Sequence, residues 1–245
     1  MNPLNSPTPI ALLAQVVAGV AATNAQYWNL IRPTIAAHPI PYWGDPKTAI
    51  CATFGVNPSA EEFTQGRWPQ STLTVTQLHY RLVHYFNNPL VPPHRWFNGY
   101  ETALNILSHS YRTDTVHLDL SPRATIAMSK VDRPLFLSMV SEDLKWFLSA
   151  LALCTNVKSA IMSGSVTNAH YFDEFLRKYL PTGYSLRLRI AFAADRGSTR
   201  LYDFVGPSFK IPVLFCGSSP SSKNKGAWLA SEIQSNLTQL KLAGF

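Results

Sequence analysis

The sequence predicts an α/β protein: a three-layer α/β/α arrangement with a central four-stranded, mostly parallel sheet, plus an inserted hairpin. Three observations carry this expectation. Residues 48–56, 115–120, 157–162 and 211–216 are short, mostly apolar runs, as strands covered on both faces must be. Longer stretches of helical period separate them, which is how crossover helices separate parallel strands. Residues 184–192 alternate Ser185, Arg187 and Arg189 with Leu186, Leu188 and Ile190, then turn through Asp195-Arg196-Gly197 into residues 200–205, the pattern of a half-exposed hairpin.

The elements follow in order. The first 31 residues carry no charged side chain, and residues 9–31 read as a buried or amphipathic helix that stops before Pro33. The apolar run from Ile10 has no positive start and is interrupted by Gln15, so a helix is a better reading than an export signal. Further helices are expected over 71–86, 100–111, 135–154 and 168–180. A last one is expected over 226–240, where Leu229, Ile233, Leu237 and Leu240 recur at three- and four-residue steps. The proline-rich residues 88–93 form a loop. No repeat, low-complexity tract or long linker divides the chain, so residues 1–245 read as a single domain with residues 1–47 as an N-terminal helical extension.

Composition narrows the class. With 46% apolar and 14% charged residues among 245, the chain has ample surface to bury, and disorder, collagen and charged coiled coils are excluded. No apolar run reaches the ~20 residues of a membrane span. Cys51, Cys154 and Cys216 are odd in number and far apart, so neither a disulfide framework nor a zinc knuckle is predicted, and a reducing, cytoplasmic setting fits. No P-loop and no G-x-G-x-x-G occurs, so neither nucleotide triphosphatase nor dinucleotide chemistry is supported; no metal and no cofactor is expected. His79 and His84 are five apart, which is not a ligand spacing on a helix, whereas His117 and Asp119 share one face of a strand. The 21 basic against 14 acidic residues leave a net charge of +7, which makes a polyanion the expected partner of a monomer.

In open parallel sheets ligands bind beyond the carboxyl ends of the strands, so strand exits hold the candidate residues. Two exits combine small residues, a rigid proline and polar side chains. The first is Phe54-Gly55-Val56-Asn57-Pro58-Ser59, followed by Phe63. The second is Cys216-Gly217-Ser218-Ser219-Pro220-Ser221-Ser222, followed by Lys223-Asn224-Lys225-Gly226. Gly55 allows a tight turn, Pro58 fixes its own φ, and the serine-rich segment beside two lysines makes a phosphate cradle. Ser163-Gly164-Ser165 leaves the third strand in a small-residue turn.

Taken together these exits resemble the uracil-DNA glycosylase superfamily, with a likeness in element order from about residue 48 onward. Gly55-Val56-Asn57-Pro58-Ser59 is similar to that family's first motif in its asparagine version. Phe63 falls at the aromatic that stacks on the extracted base. Asp119, in Val116-His117-Leu118-Asp119-Leu120-Ser121-Pro122, falls at the base-reading asparagine, and Ser219-Pro220-Ser221-Ser222 aligns with the second motif, usually H-P-S-P. The resemblance implies a DNA glycosylase: an N-glycosyl hydrolase of base excision repair acting on a damaged or deaminated base in single- or double-stranded DNA.

The resemblance also implies residue roles. Asn57 and Ser219 would be catalytic, with Asn57 positioning water and Ser219 standing where a histidine donates to the leaving base. Gly55, Val56, Phe63 and Asp119 would line the base pocket, with Trp68 and Trp96 as further aromatics. Ser59, Ser221, Ser222, Lys223 and Lys225 would grip the backbone, supported by Arg123, Lys130 and Arg133. An amide orients water but accepts no proton, and a serine is a weaker donor than a histidine, so slow chemistry is expected. Glu61 and Glu62 are nearby carboxylates. Asp119, an acceptor only when ionised, favours a base that presents an amine, or an unusual deaminated purine, over uracil; its alternative role is to cap the 121–124 loop or pair with Arg123. The alternative function is a weak or inactive nucleic-acid-binding relative, and a third is a small-molecule hydrolase on a similar sheet.

Overall fold

A computed structural model describes residues 8–31, 37–64, 68, 73–126, 130–167, 170–192, 199–218 and 225–245. The chain runs α1 (Pro9–Thr23), α2 (Trp28–Ile31), β1 (Cys51–Gly55), α3 (Glu61–Thr64), α4 (Val75–Val83), α5 (Phe97–Ile106), β2 (Thr115–Asp119) and α6 (Arg133–Leu153). It continues as β3 (Ser159–Ser163), β4 (Ser165–Thr167), β5 (His170–Tyr171), α7 (Phe172–Tyr179), β6 (Ser185–Phe192), β7 (Thr199–Val205), β8 (Lys210–Cys216) and α8 (Lys225–Leu242).

The molecule is mixed α/β around a six-stranded, mostly parallel sheet of order β2-β1-β3-β8-β7-β6. β3 runs parallel to β1, with Ser159 opposite Cys51, and to β8, with Ala160 opposite Val213. Every residue of β1, β2 and β3 is buried, as their continuous apolar character requires. The 184–205 hairpin is not a separate insert on four strands. β7 pairs antiparallel along β8 from Thr199–Cys216 to Val205–Lys210, and β6 pairs with β7, so the hairpin covers an edge that would otherwise expose unpaired backbone groups.

Two compact units share the chain, which passes between them inside β1 and β2. Met1–Lys47, Gly55–Pro92 and His117–Thr155 form one, so residues 1–47 belong to the same unit as the exits of β1 and β2. Its core gathers Leu12, Val16, Leu82, Phe136, Val140 and Phe147. Thr48–Phe54, Pro93–Val116 and Asn156–Phe245 form the other, around Phe54, Met162, Phe204, Phe215, Leu229 and Ile233. In this second unit α5 and α8 touch at glycines: a Cβ on Gly226 would lie 2.8 Å from Gly99 Cα.

Several helix bounds differ from expectation for identifiable reasons. Where the sequence predicts one helix over 9–31, α1 ends at Thr23, because Arg123 Nη1 takes the Val20 carbonyl at 3.1 Å and Asn24 Oδ1 at 2.9 Å. α4 begins at a capping box between Thr74 and Gln77. α5 lies over Phe97–Ile106 instead of 100–111, since Ser108 adopts a positive φ of 64° and closes it. α7 starts at Phe172 because β4 and β5 occupy the segment before it. No described helix is long and apolar enough to cross a membrane.

Candidate active site

Both polar strand exits of the first unit run side by side. Beyond the ladder, Leu120 N donates to Gly55 O at 2.9 Å and Ser121 N to Val56 O at 3.0 Å, and Ser59 bridges Thr125 in parallel register. Asn57 sits half-buried in this seam. Its amide Nδ2 donates to Pro58 O at 3.0 Å, Thr125 Oγ1 at 3.0 Å and Arg123 O at 3.3 Å. Two N–H groups facing three acceptors leave no donor capacity, so the NH₂ half of the side chain is a tie between the two exits. Among the described residues nothing donates to Oδ1, the half that accepts. Ser59, exposed, accepts the Glu61 amide at 3.2 Å and opens α3.

Asp119 ends β2 and is only 3% exposed. Trp43 Nε1 donates to its Oδ2 at 3.2 Å, and His117 Nε2 meets its Oδ1 at 3.3 Å, the contact that i and i+2 positions on one strand face allow. Each oxygen therefore has one contact inside the fold, and since a carboxylate oxygen accepts two hydrogen bonds, acceptor capacity remains on both. Asp119 does not pair with Arg123. Trp43 is itself fixed as an extra one-residue strand, its N–H on His117 O at 2.8 Å and its carbonyl receiving His117 N at 2.9 Å.

An aromatic cluster continues from Trp43. Its ring lies 4.3 Å from Tyr85 and 5.9 Å from Trp68, and Trp68 lies 5.6 Å from Phe63 at a 33° tilt. Phe63, in α3, keeps part of its surface exposed, whereas Trp68 is buried and donates Nε1 to the buried Glu62 Oε1 at 3.2 Å. Glu62 is thus committed to an indole, and Glu61 is exposed. Phe63, Trp68, Trp43 and Asp119 form a continuous chain of contacts.

Arg123 is not a backbone contact. It is 3% exposed, and Nε donates to Asp143 Oδ2 at 2.9 Å while Nη1 and Nη2 reach Val20 O, Asn24 Oδ1, Thr23 Oγ1 and Asp143 Oδ1. Ser121 adds its hydroxyl to Asp143 at 2.7 Å. A shallow recess of about 20 Å³ opens beside this network, lined by Val20, Asn24, His38 and Arg123 among others. Lys130 and Arg133, by contrast, are exposed.

In the second unit, the exit of β8 is described through Ser218. The buried Glu232 of α8 accepts from Ser218 Oγ and from Thr199 Oγ1 at 3.1 Å, anchoring the start of the serine-rich segment. Ser219, Ser221, Ser222 and Lys223 lie outside the described residues, as does the side chain of Lys225. At the exit of β3, Ser163 Oγ donates to Tyr100 Oη at 2.9 Å, Tyr100 donates onward to Phe54 O at 2.9 Å, and Gly164 takes φ +76°. Trp96 stacks edge-on against Phe97 and Tyr100, 5.2 and 5.3 Å away.

Among the described residues no three His, Cys, Asp or Glu side chains converge on a metal position. The three cysteines are free and buried, and burial pushes the Cys51 thiol up to about 12. Trp43 is the site residue that sequence reasoning missed. Its signal is chemical: a tryptophan that is buried needs an acceptor for its indole N–H, and a carboxylate at a strand end supplies one. No family model, no curated protein and no solved structure matches the chain.

Proposed function

We propose that the chain is a DNA glycosylase-like hydrolase that cleaves the N-glycosidic bond of a damaged or deaminated base, using a water positioned by Asn57. The divided amide of Asn57 carries this reading. Its NH₂ is consumed by three fixed acceptors, which holds Oδ1 in one direction at a strand exit as an acceptor for water. Cleavage builds positive charge on the sugar and negative charge on the base, so a held water and a donor to the leaving base are the groups the reaction needs. Ser219 is assigned the second role from its place in the motif. A base swung out of its strand recovers stacking on Phe63, which Trp68 backs. Asp119 reads an amine-bearing base edge through the acceptor capacity that Trp43 and His117 leave on its oxygens. On this reading β2-β1-β3-β8 is the four-stranded centre of a three-layer frame, to which β7 and β6 are added.

A second reading, a nucleic-acid-binding relative without chemistry, is favoured by one observation: Asp119 is buried, with a contact from within the fold on each oxygen. Alkali treatment separates the two. An oligonucleotide with a modified base incubated with the protein is nicked after alkali if the base is released. It is only retarded on a native gel if the protein binds without cleaving.

A further inference from the structure

Asp173, in the first turn of α7, is wholly buried. Two donors converge on one of its oxygens: Arg200 Nη1 lies 2.6 Å and Tyr202 Oη 2.5 Å from Oδ2. Oδ1 is equally buried and receives no hydrogen bond. An arginine that meets a carboxylate with both prongs spends its recognition edge on it. Here the grip is on a single oxygen, through Nη1, and the Tyr202 hydroxyl is the guanidinium's second hydrogen-bond partner. Five N–H groups outnumber these two acceptors, so the guanidinium keeps donors that match the oxygens of a phosphate.

The guanidinium is fixed on a second side as well. Its Cζ stands 5.7 Å from the centre of the Phe215 ring, and the side chain is still 30% exposed. Tyr171 stands edge-on to the same ring, with centroids 6.0 Å apart at 77°, and is 46% exposed. Arg200 is opposite Phe215 in the β7–β8 register, one residue before the end of β8. A cation with its donors aligned and an exposed aromatic ring therefore share one support at the strand exit.

We infer that Arg200 and Tyr171 form a nucleotide subsite for single-stranded DNA, in which the guanidinium takes a backbone phosphate and the tyrosine ring takes an unpaired base. The inference rests on the DNA-directed function proposed for the chain. Only an unpaired base offers its face to such a ring, and stacking of this kind tolerates any base. Asp173 acts as the anchor: because it holds Arg200 before the phosphate arrives, less side-chain freedom is lost on binding.

The test is fluorescence anisotropy of labelled oligodeoxythymidine against salt concentration, with wild type, Arg200→Gln, Tyr171→Ala and Tyr171→Phe, each checked for a native melting transition. Arg200→Gln is expected to lower the slope of log affinity against log salt by about 1. Tyr171→Ala is expected to weaken binding about ten-fold, and Tyr171→Phe to keep it, since the ring is what stacks. Arg200→Gln leaves Asp173 buried without its cation; should that variant fail to fold, the tyrosine pair decides the question. Wild-type affinity with every folded variant overturns the subsite while leaving DNA binding intact. Absence of binding by wild type overturns the DNA-directed function itself.

Discussion

Gly55 has no side chain at the place where the carboxylate of Asp119 passes. A Cβ there would stand 2.4 Å from Asp119 Oδ1 and 2.6 Å from His117 Nε2, both parts of buried groups with little room to retreat. The glycine of the first motif is therefore required by packing between neighbouring strand ends, whatever else it does for a ligand. Gly55→Ala is expected to cost about 1–3 kcal/mol, read as a lower urea midpoint at unchanged slope. An unchanged midpoint would mean that the two strand ends are not packed as described.

The amide at position 57 is set by its donors. A carboxylate there would turn an acceptor toward the carbonyls of Pro58 and Arg123. Asn57→Asp should lower stability by about 1–3 kcal/mol at pH 7, with the loss shrinking as the pH falls and the new carboxyl takes up a proton. Denaturant titrations at pH 7 and at acid pH check this.

Breaking the Arg123–Asp143 pair strands a buried charge. Arg123→Met is expected to cost about 3–5 kcal/mol, and Arg123→Met combined with Asp143→Leu to recover most of that, because the charge is removed with its partner. Equal losses in the single and double variants would contradict the pairing.

Asp114 supplies a pH dependence. Burial raises its carboxyl, but the His109 ring at 2.7 Å, the Ser110 amide, the charge of His109 and the Thr113 hydroxyl outweigh it and leave the group below its usual value. A carboxyl depressed in the folded state adds stability above its unfolded pKa of about 4 and loses it as the pH falls through the lower folded value. Asp114→Asn should therefore lower the melting temperature at pH 7 and make little difference near pH 2. A difference that persists to pH 2 would assign the effect to lost hydrogen bonds alone.

The strands were legible because burial on both faces writes a continuous apolar run, which four segments of this chain carry. The pairing of the hairpin onto β8 was not, since alternation reveals a strand but not its neighbour. The end of α1 at Thr23 was hidden for a similar reason: it depends on Arg123, a hundred residues away, taking the Val20 carbonyl. That same contact is why Arg123 read as a surface cation and is an interior one. The turn residues at the exit of β1 drew attention to Asn57, but nothing in their spacing shows that its amide is held by Pro58, Arg123 and Thr125. The engagement of Asp119 by Trp43 was not legible either, because nothing in the spacing from 43 to 119 brings the indole to the strand end; a one-residue bridge to His117 does.

Release of free base from single-stranded oligonucleotides bearing uracil, hypoxanthine, xanthine or cytosine, measured for wild type beside Asn57→Ala, decides whether Asn57 positions a hydrolytic water. Wild type is expected to release at least one of these bases slowly, and Asn57→Ala to lose about 100-fold or more of that rate while still binding the strand. Equal rates for the two proteins, or no release by a folded wild type that binds the strand, would contradict it.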